Sequence, residues 1–241
     1  GARILNSLTG NVDIPALKGS ATSGWVAENQ ALAASDLSFR KVSMTPKHAG
    51  ALTELSRNML QQASPDIEQL VRDDFASILA EAVDDAALSG GGTNEPVGIL
   101  STPGLQKDTF DSANPWDSIQ DFIGSVENRD ANVEACAFVA APSVVTLFRK
   151  TPRTPETFIM EDRNTLDGYT VARSTICPVQ TLIFGDFSDL LIGYWSAFDL
   201  LVNPYETAAY SKGNVLVRAM LTCDVALRHV ESFGALEGVG A

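Results

Sequence analysis

Hydrophobic positions along this chain change period several times, and the longest regular stretch lies between Ser64 and Leu88. Ile67, Leu70, Val71, Phe75, Ile78, Leu79, Ala82, Val83, Ala86 and Ala87 recur at three and four residues, which places them on one stripe of a helix. The opposite stripe is almost entirely acidic. Ser64 suits the N-cap, Pro65 the first helical position, and Asp66 and Glu68 complement the positive end of the helix. At ~1.5 Å per residue the segment to Leu88 would span roughly 36 Å before Gly90-Gly91-Gly92 stops it. The pattern therefore predicts a rigid beam that ends in a flexible glycine-rich collar, Gly90 to Leu100. The periodicity alone equally fits a core helix of an α/β enzyme.

Around this beam the period is that of strands and shorter helices. Residues 1 to 50 carry no helical period: Val12, Ile14 and Leu17 alternate, Lys18 to Gly24 and Glu28 to Asp36 break the run, and Phe39 to Met44 suggest a returning strand. So long a hairpin has few apolar residues of its own and needs a partner surface, and Trp25 in its polar loop needs somewhere to pack. Beyond the collar, Pro115 opens a second helix with Trp116, Ile119, Phe122, Ile123 and Val126 on one face. Cys136 to Ala141 predicts a core strand, Pro142 to Phe148 a third helix, and Thr151 to Asp167 a loop. Further strands are expected at Tyr169 to Ala172, Thr181 to Phe184, Leu190 to Tyr194, Phe198 to Val202, Val215 to Leu221 and Phe233 to Leu236. The resulting fold class is α+β.

Charge and chemistry narrow the function. The 241 residues include 30 acidic and 17 basic side chains, a net charge of −13, so general attraction to a phosphate backbone is excluded. Three separated cysteines, Cys136, Cys177 and Cys223, form no C-x-x-C pair and read as core thiols of a reducing compartment, the cytoplasm. No apolar run approaches the ~20 residues needed to cross a bilayer, and no membrane role is expected. Of the two histidines, neither His48 nor His229 stands at metal-ligand spacing. The collar lacks the Lys-Ser/Thr of a phosphate loop and follows a helix instead of preceding one. Asp73-Asp74 and Asp84-Asp85 are adjacent on a helix and point about 100° apart, so they read as a solvated or intersubunit face. No catalytic residue, cofactor site or metal site is expected, and an enzyme reading survives only as a small α/β hydrolase whose site the sequence does not reveal.

Several motifs, in order, resemble one family. Trp25-Val26-Ala27-Glu28, Phe39-Arg40-Lys41-Val42, Ser56-Arg57-Asn58-Met59-Leu60, Gly90 to Leu100 with its Pro-x-Gly-Ile-Leu ending, Leu166-Asp167-Gly168-Tyr169 and Gly185-Asp186-Phe187-Ser188 are similar to segments of the major capsid proteins of tailed bacteriophages (Caudovirales), the Hong Kong 97-type family. The resemblance covers nearly the whole chain. It implies an N-terminal arm and extended loop over residues 1–50, a peripheral domain with a spine helix over 51–115, an axial domain over 116–210, and return strands of the peripheral domain over 211–241.

The implied function is a structural head protein of a phage or prophage. It would self-assemble from pentamers and hexamers into an icosahedral shell around double-stranded DNA that it does not bind specifically, inside the bacterial host cytoplasm. An encapsulin-like nanocompartment shell is the alternative within the same fold. The resemblance further implies a scaffolding segment removed by a maturation protease, with Gly1 as the mature start, as well as portal and decoration proteins as partners. Trp25, Glu28, Phe39, Arg40 and Lys41 are the implied intersubunit contacts. Some members crosslink a loop lysine to an asparagine with the help of a late glutamate. Here Lys18 or Lys41 and Asn214 are present but no Glu lies between Glu206 and Glu231, so a noncovalent shell is expected.

Overall fold

The computed structural model describes residues 1–19, 25, 38–56, 66–129, 131–154, 157–206 and 212–240. Strands are β1 (Arg3–Leu5), β2 (Val12–Gly19), β3 (Ser38–Met44), β4 (Lys47–Leu55), β5 (Gln106–Thr109), β6 (Ala137–Ala140), β7 (Pro152–Thr154), β8 (Thr157–Phe158), β9 (Thr165–Leu166), β10 (Tyr169–Arg173), β11 (Thr181–Gly185), β12 (Leu190–Asn203), β13 (Val215–Leu227) and β14 (Phe233–Glu237). Helices are α1 (Asp66–Ser89), α2 (Pro115–Glu127) and α3 (Pro142–Lys150). Among the described residues these strands form a four-stranded sheet in the order β1-β12-β13-β4, a six-stranded sheet in the order β5-β14-β11-β6-β10-β9, and the two-stranded pairs β2-β3 and β7-β8.

The six-stranded sheet is covered by α2 and α3, whose apolar faces supply Ile119, Phe122, Ile123, Val126, Val144, Val145 and Phe148 to one core. Phe184 stands at its aromatic centre, 4.5 Å from Phe138 and 5.0 Å from Tyr169 between ring centroids. Close approach explains Gly234: a Cβ there would lie 2.8 Å from both Phe122 and Val126 of α2. The step from β9 to β10 is a two-residue hairpin in which Asp167 (φ 50°) and Gly168 (φ 84°) both take positive φ, as a primed turn requires.

α1 lies along the four-stranded sheet. Phe75 and Leu79 pack with Leu55, Val217 and Ala219, while Val83, Ala87 and Leu88 join Ile192, Cys223, Val225 and Leu227. The buried stripe is narrower than the sequence pattern suggested, since Leu70 and Ile78 are exposed at 66% and 45%. Ser64 and Pro65, the expected cap, lie outside the described residues.

The collar is closed and tightly packed, which corrects the expectation of flexibility. Gly90 N–H donates to Ala86 O (3.1 Å), Gly98 N–H to Gly90 O (2.9 Å), and Gly91 N–H to the Glu95 carboxylate (2.7 Å). Gly91 and Val97 form a β-bridge.

Other expectations also change. Thr151 to Asp167 holds β7, β8 and β9 instead of a plain loop. Leu190–Tyr194 and Phe198–Val202 are one strand, β12, whose ladder to β13 shifts register between Tyr194 and Asp199. The last 31 residues do not return to a single sheet: β13 joins β12 and β4, whereas β14 pairs with β11 and β5. Within residues 1–50, β1 pairs in parallel with β12 and β4 begins at Lys47.

Candidate assembly interface

The hairpin β2–β3 pairs antiparallel from Val12↔Met44 to Leu17↔Phe39. On one face Asp13 receives Lys41 at 2.8 Å and the Ser43 hydroxyl at 2.7 Å, and these two bonds hold the Asp13 carboxyl below its ordinary pKa. Farther along, Leu17 and Phe39, which face each other, are 41% and 65% exposed, and Trp25 is wholly exposed. A paired apolar surface left in water is the feature that distinguishes this hairpin from a finished edge of the fold. Glu28 lies outside the described residues.

The hairpin's root, by contrast, is fixed to the subunit. Met44 is fully buried beside Gly193, where a Cβ would come within 3.0 Å of the Met44 methyl and 2.7 Å of Leu8. Asp224, 3% exposed in β13, accepts from Thr45 N–H (2.8 Å), from Lys47 (3.2 Å) and from Val225 N–H (2.9 Å). Arg40 donates to the Arg228 carbonyl and lies 3.5 Å from the Glu231 carboxylate. Of the expected contact residues, then, Trp25 and Phe39 face solvent, Lys41 is bonded within the hairpin, and Arg40 is turned onto its own subunit.

At the other end of β13 a second apolar surface is open. Leu52 of β4, Leu201 and Val202 of β12, Leu216 and Tyr205 line a cavity of about 560 Å³, and Leu52 and Tyr205 are 63% and 82% exposed. Outward positions of β4 alternate with the inward Ala49, Ala51 and Leu55, so strand geometry places Leu52 on the face away from α1. Beside this surface Asn214 donates to Glu54 at 2.6 Å, and Lys212 lies 3.8 Å from the same carboxylate. No Glu lies between Glu206 and Glu231 in the sequence, yet the fold sets one from far earlier in the chain beside Asn214. The acid comes from β4, which pairs with β13 in the register Glu54↔Leu216, a partner that a search limited to the late sequence misses.

Elsewhere the reactive groups are engaged in structure. Cys136 and Cys177 are buried, and burial pushes each thiol up to about 11. His48 Nδ1 lies 2.9 Å from the Thr222 hydroxyl. Among the described residues no group of three His, Cys, Asp or Glu side chains is arranged to hold a metal, and no helix is long and apolar enough to cross a membrane. The collar amides of Gly90, Gly91 and Gly98 bond within the collar and to α1.

The chain matches the Phage capsid family over residues 1–238. It is 29% identical over 237 residues to the major capsid protein of Halomonas phage phiHAP-1, covering 97% of this chain and 39% of that protein. It is 25% identical to the major capsid protein of Klebsiella oxytoca phage phiKO2, covering 100% of this chain and 62% of that protein. The chain thus spans less than two thirds of the length of these relatives. Among solved structures, the capsid of a native GTA particle computed with C5 symmetry superposes with a TM-score of 0.84 at 21% identity, covering 99% of this chain and 88% of that one. A structure from Mycobacterium phage Bobi superposes at 0.80 and 14% identity, covering 100% and 89%.

Proposed function

Because the chain belongs to the Phage capsid family, we propose that it is a major capsid subunit that assembles through its hairpin and open sheet surface into an icosahedral shell around double-stranded DNA. The shell is built from pentamers and hexamers, forms in the bacterial host cytoplasm and becomes part of the virion. The four-stranded sheet with α1 serves as the peripheral domain and the six-stranded sheet with α2 and α3 as the axial domain. Scaffold, maturation protease, portal and decoration proteins are its partners, and its own role is architectural and not catalytic.

The observation that carries this reading is the hairpin. A two-stranded ribbon is at best marginally stable alone, and this one is held to its own subunit through Met44, Ala16 and Arg40 while Leu17, Phe39 and Trp25 face water. Packing on a neighbouring copy supplies the missing apolar contact, and a buried aromatic is the kind of residue that dominates such an interface. The net charge of −13 suits the inner wall of a container, since like-charge repulsion keeps packed DNA from adhering.

Replacing Trp25 with Ala tests the reading. Sedimentation velocity should show fast particles for the parent protein and slow, folded subunits for the variant. Equal yields of particles from both would contradict it.

A further inference from the structure

Between the hairpin and the body lies a cleft of about 370 Å³ lined by Leu17, Arg40, Arg129, Asp189, His229 and Glu231, among others. Arg40 comes from β3, and Arg129 follows the end of α2, so one guanidinium belongs to the hairpin and the other to the body. Their hydrogen bonding is incomplete. Arg129 Nη2 donates to Gly104 O (3.1 Å) and Arg40 Nη2 to Arg228 O, yet Arg129 Nη1 and Arg40 Nε are buried with no acceptor. Arg228, whose carbonyl receives Arg40, has its own Nε buried and unpaired in the same way.

A buried guanidinium N–H without an acceptor carries the full cost of its desolvation. Of the nearby acids, Glu231 pairs with Arg40 at 3.5 Å and Asp189 accepts the Ser232 hydroxyl at 2.9 Å, and neither accepts from Arg129 Nη1 or Arg40 Nε. In a chain of net charge −13, two arginines brought to one cleft with donors left unpaired are the exception that calls for a ligand.

We propose that this cleft is a receptor for a carboxylate side chain of a second copy of the chain, a proposal that rests on the shell reading. Three features favour a carboxylate. The guanidinium fork matches its two oxygens. The space admits one side chain. Asp189 and Glu231 in the walls repel a polyanion such as nucleic acid far more than they repel a single negative charge. Acidic groups are plentiful on a partner, since the solvent face of α1 exposes Asp73, Asp74, Glu81, Asp84 and Asp85. Because Arg40 belongs to the hairpin and Arg129 to the body, a carboxylate held by both would lock the hairpin's angle on assembly.

Assembly of the full chain should be compared for the parent protein, Arg129→Gln and Arg129→Lys, together with the melting temperature of the unassembled subunits. Arg129→Gln should raise the threshold concentration for assembly about tenfold, the loss of one charge-assisted contact, while melting stays nearly unchanged. Arg129→Lys, which keeps the charge and loses the fork, should fall between. Sodium acetate, set against sodium chloride at equal ionic strength, should raise the threshold for the parent protein. This competition stands even if the variants fail to fold.

A parent protein that assembles with no response to acetate, or with the same threshold as folded Arg129→Gln, overturns the carboxylate site and leaves the shell reading intact. A parent protein that never assembles counts against the shell reading itself. Arg129-dependent binding of a short DNA duplex by isolated subunits would overturn the proposal in favour of a phosphate ligand.

Discussion

Gly98→Ala isolates the collar's contribution to the subunit. Gly98 has an ordinary extended backbone (φ −76°), so handedness does not require glycine there. Close approach does: a Cβ would stand 2.6 Å from Gly90 N, 2.7 Å from Ala86 O and 2.8 Å from Ser89 N, all of them main-chain atoms that cannot swing aside. The last turn of α1 and the collar would have to separate, at an overpacking cost of about 1–3 kcal/mol. The Gly98 N–H to Gly90 O bond would weaken as well, a further loss of about 0.5–1.5 kcal/mol. Together these give about 2–4 kcal/mol, which in a chain of this size lowers the melting temperature by roughly 5–15 °C.

Circular dichroism of unassembled subunits reads this directly. Gly91→Ala serves as the control, because its Cβ would meet only the flexible Glu95 carboxylate, at 3.2 Å, and should cost less than about 1 kcal/mol. A Gly98→Ala protein melting within a degree of the parent, or no less stable than Gly91→Ala, would show that the collar is loose after all.

Other consequences can be measured on the same subunit. Asp224→Ala removes the buried acceptor of Thr45 and Lys47 and should cost about 3 kcal/mol, with faster proteolysis within the hairpin; unchanged cleavage would mean that Asp224 does not hold the root. The raised thiols of Cys136 and Cys177 predict alkaline lability: above pH 9 the unfolded thiols ionise while the folded ones keep their protons, so stability falls between pH 9 and 11. Cys136→Ala with Cys177→Ala should flatten that slope in a melting series, and an identical slope would refute the cause. Assembled particles boiled in denaturant should run as single subunits on a gel; a ladder that disappears in both Glu54→Gln and Asn214→Ala would instead show that the two residues take part in a covalent link.

The sequence made legible those elements whose side chains are large and periodic. α2 and α3 begin at prolines and carry wide apolar faces, so their limits follow from the pattern, as do the fully buried β11 and the alternating β13. β4 leaves little mark in the sequence because its inward Ala49, Ala51 and Thr53 are too small to register as a hydrophobic face and only Leu55 at its end is large, while Leu52 points outward. That faintness also hid the Glu54–Asn214 contact, which depends on a ladder between residues 160 positions apart. Nothing local records that β14 joins β11 and β5, because a short apolar strand carries no mark of the partner it will choose. The stripe on α1 was overcounted for a related reason: periodicity shows which residues share a face, and only the width of the sheet beneath decides how many are covered. Arg40 illustrates the limit for the interface, since its motif marks the hairpin but not the direction in which the side chain turns.

Electron microscopy of the purified, concentrated protein tests the central claim most directly. Closed shells or capsomer rings, with the two-sheet subunit fitting their density and the hairpin lying against an adjacent copy, are the predicted result. A uniform population of monomers under conditions where the subunit is folded, or particles in which the hairpin touches no neighbour, would contradict it.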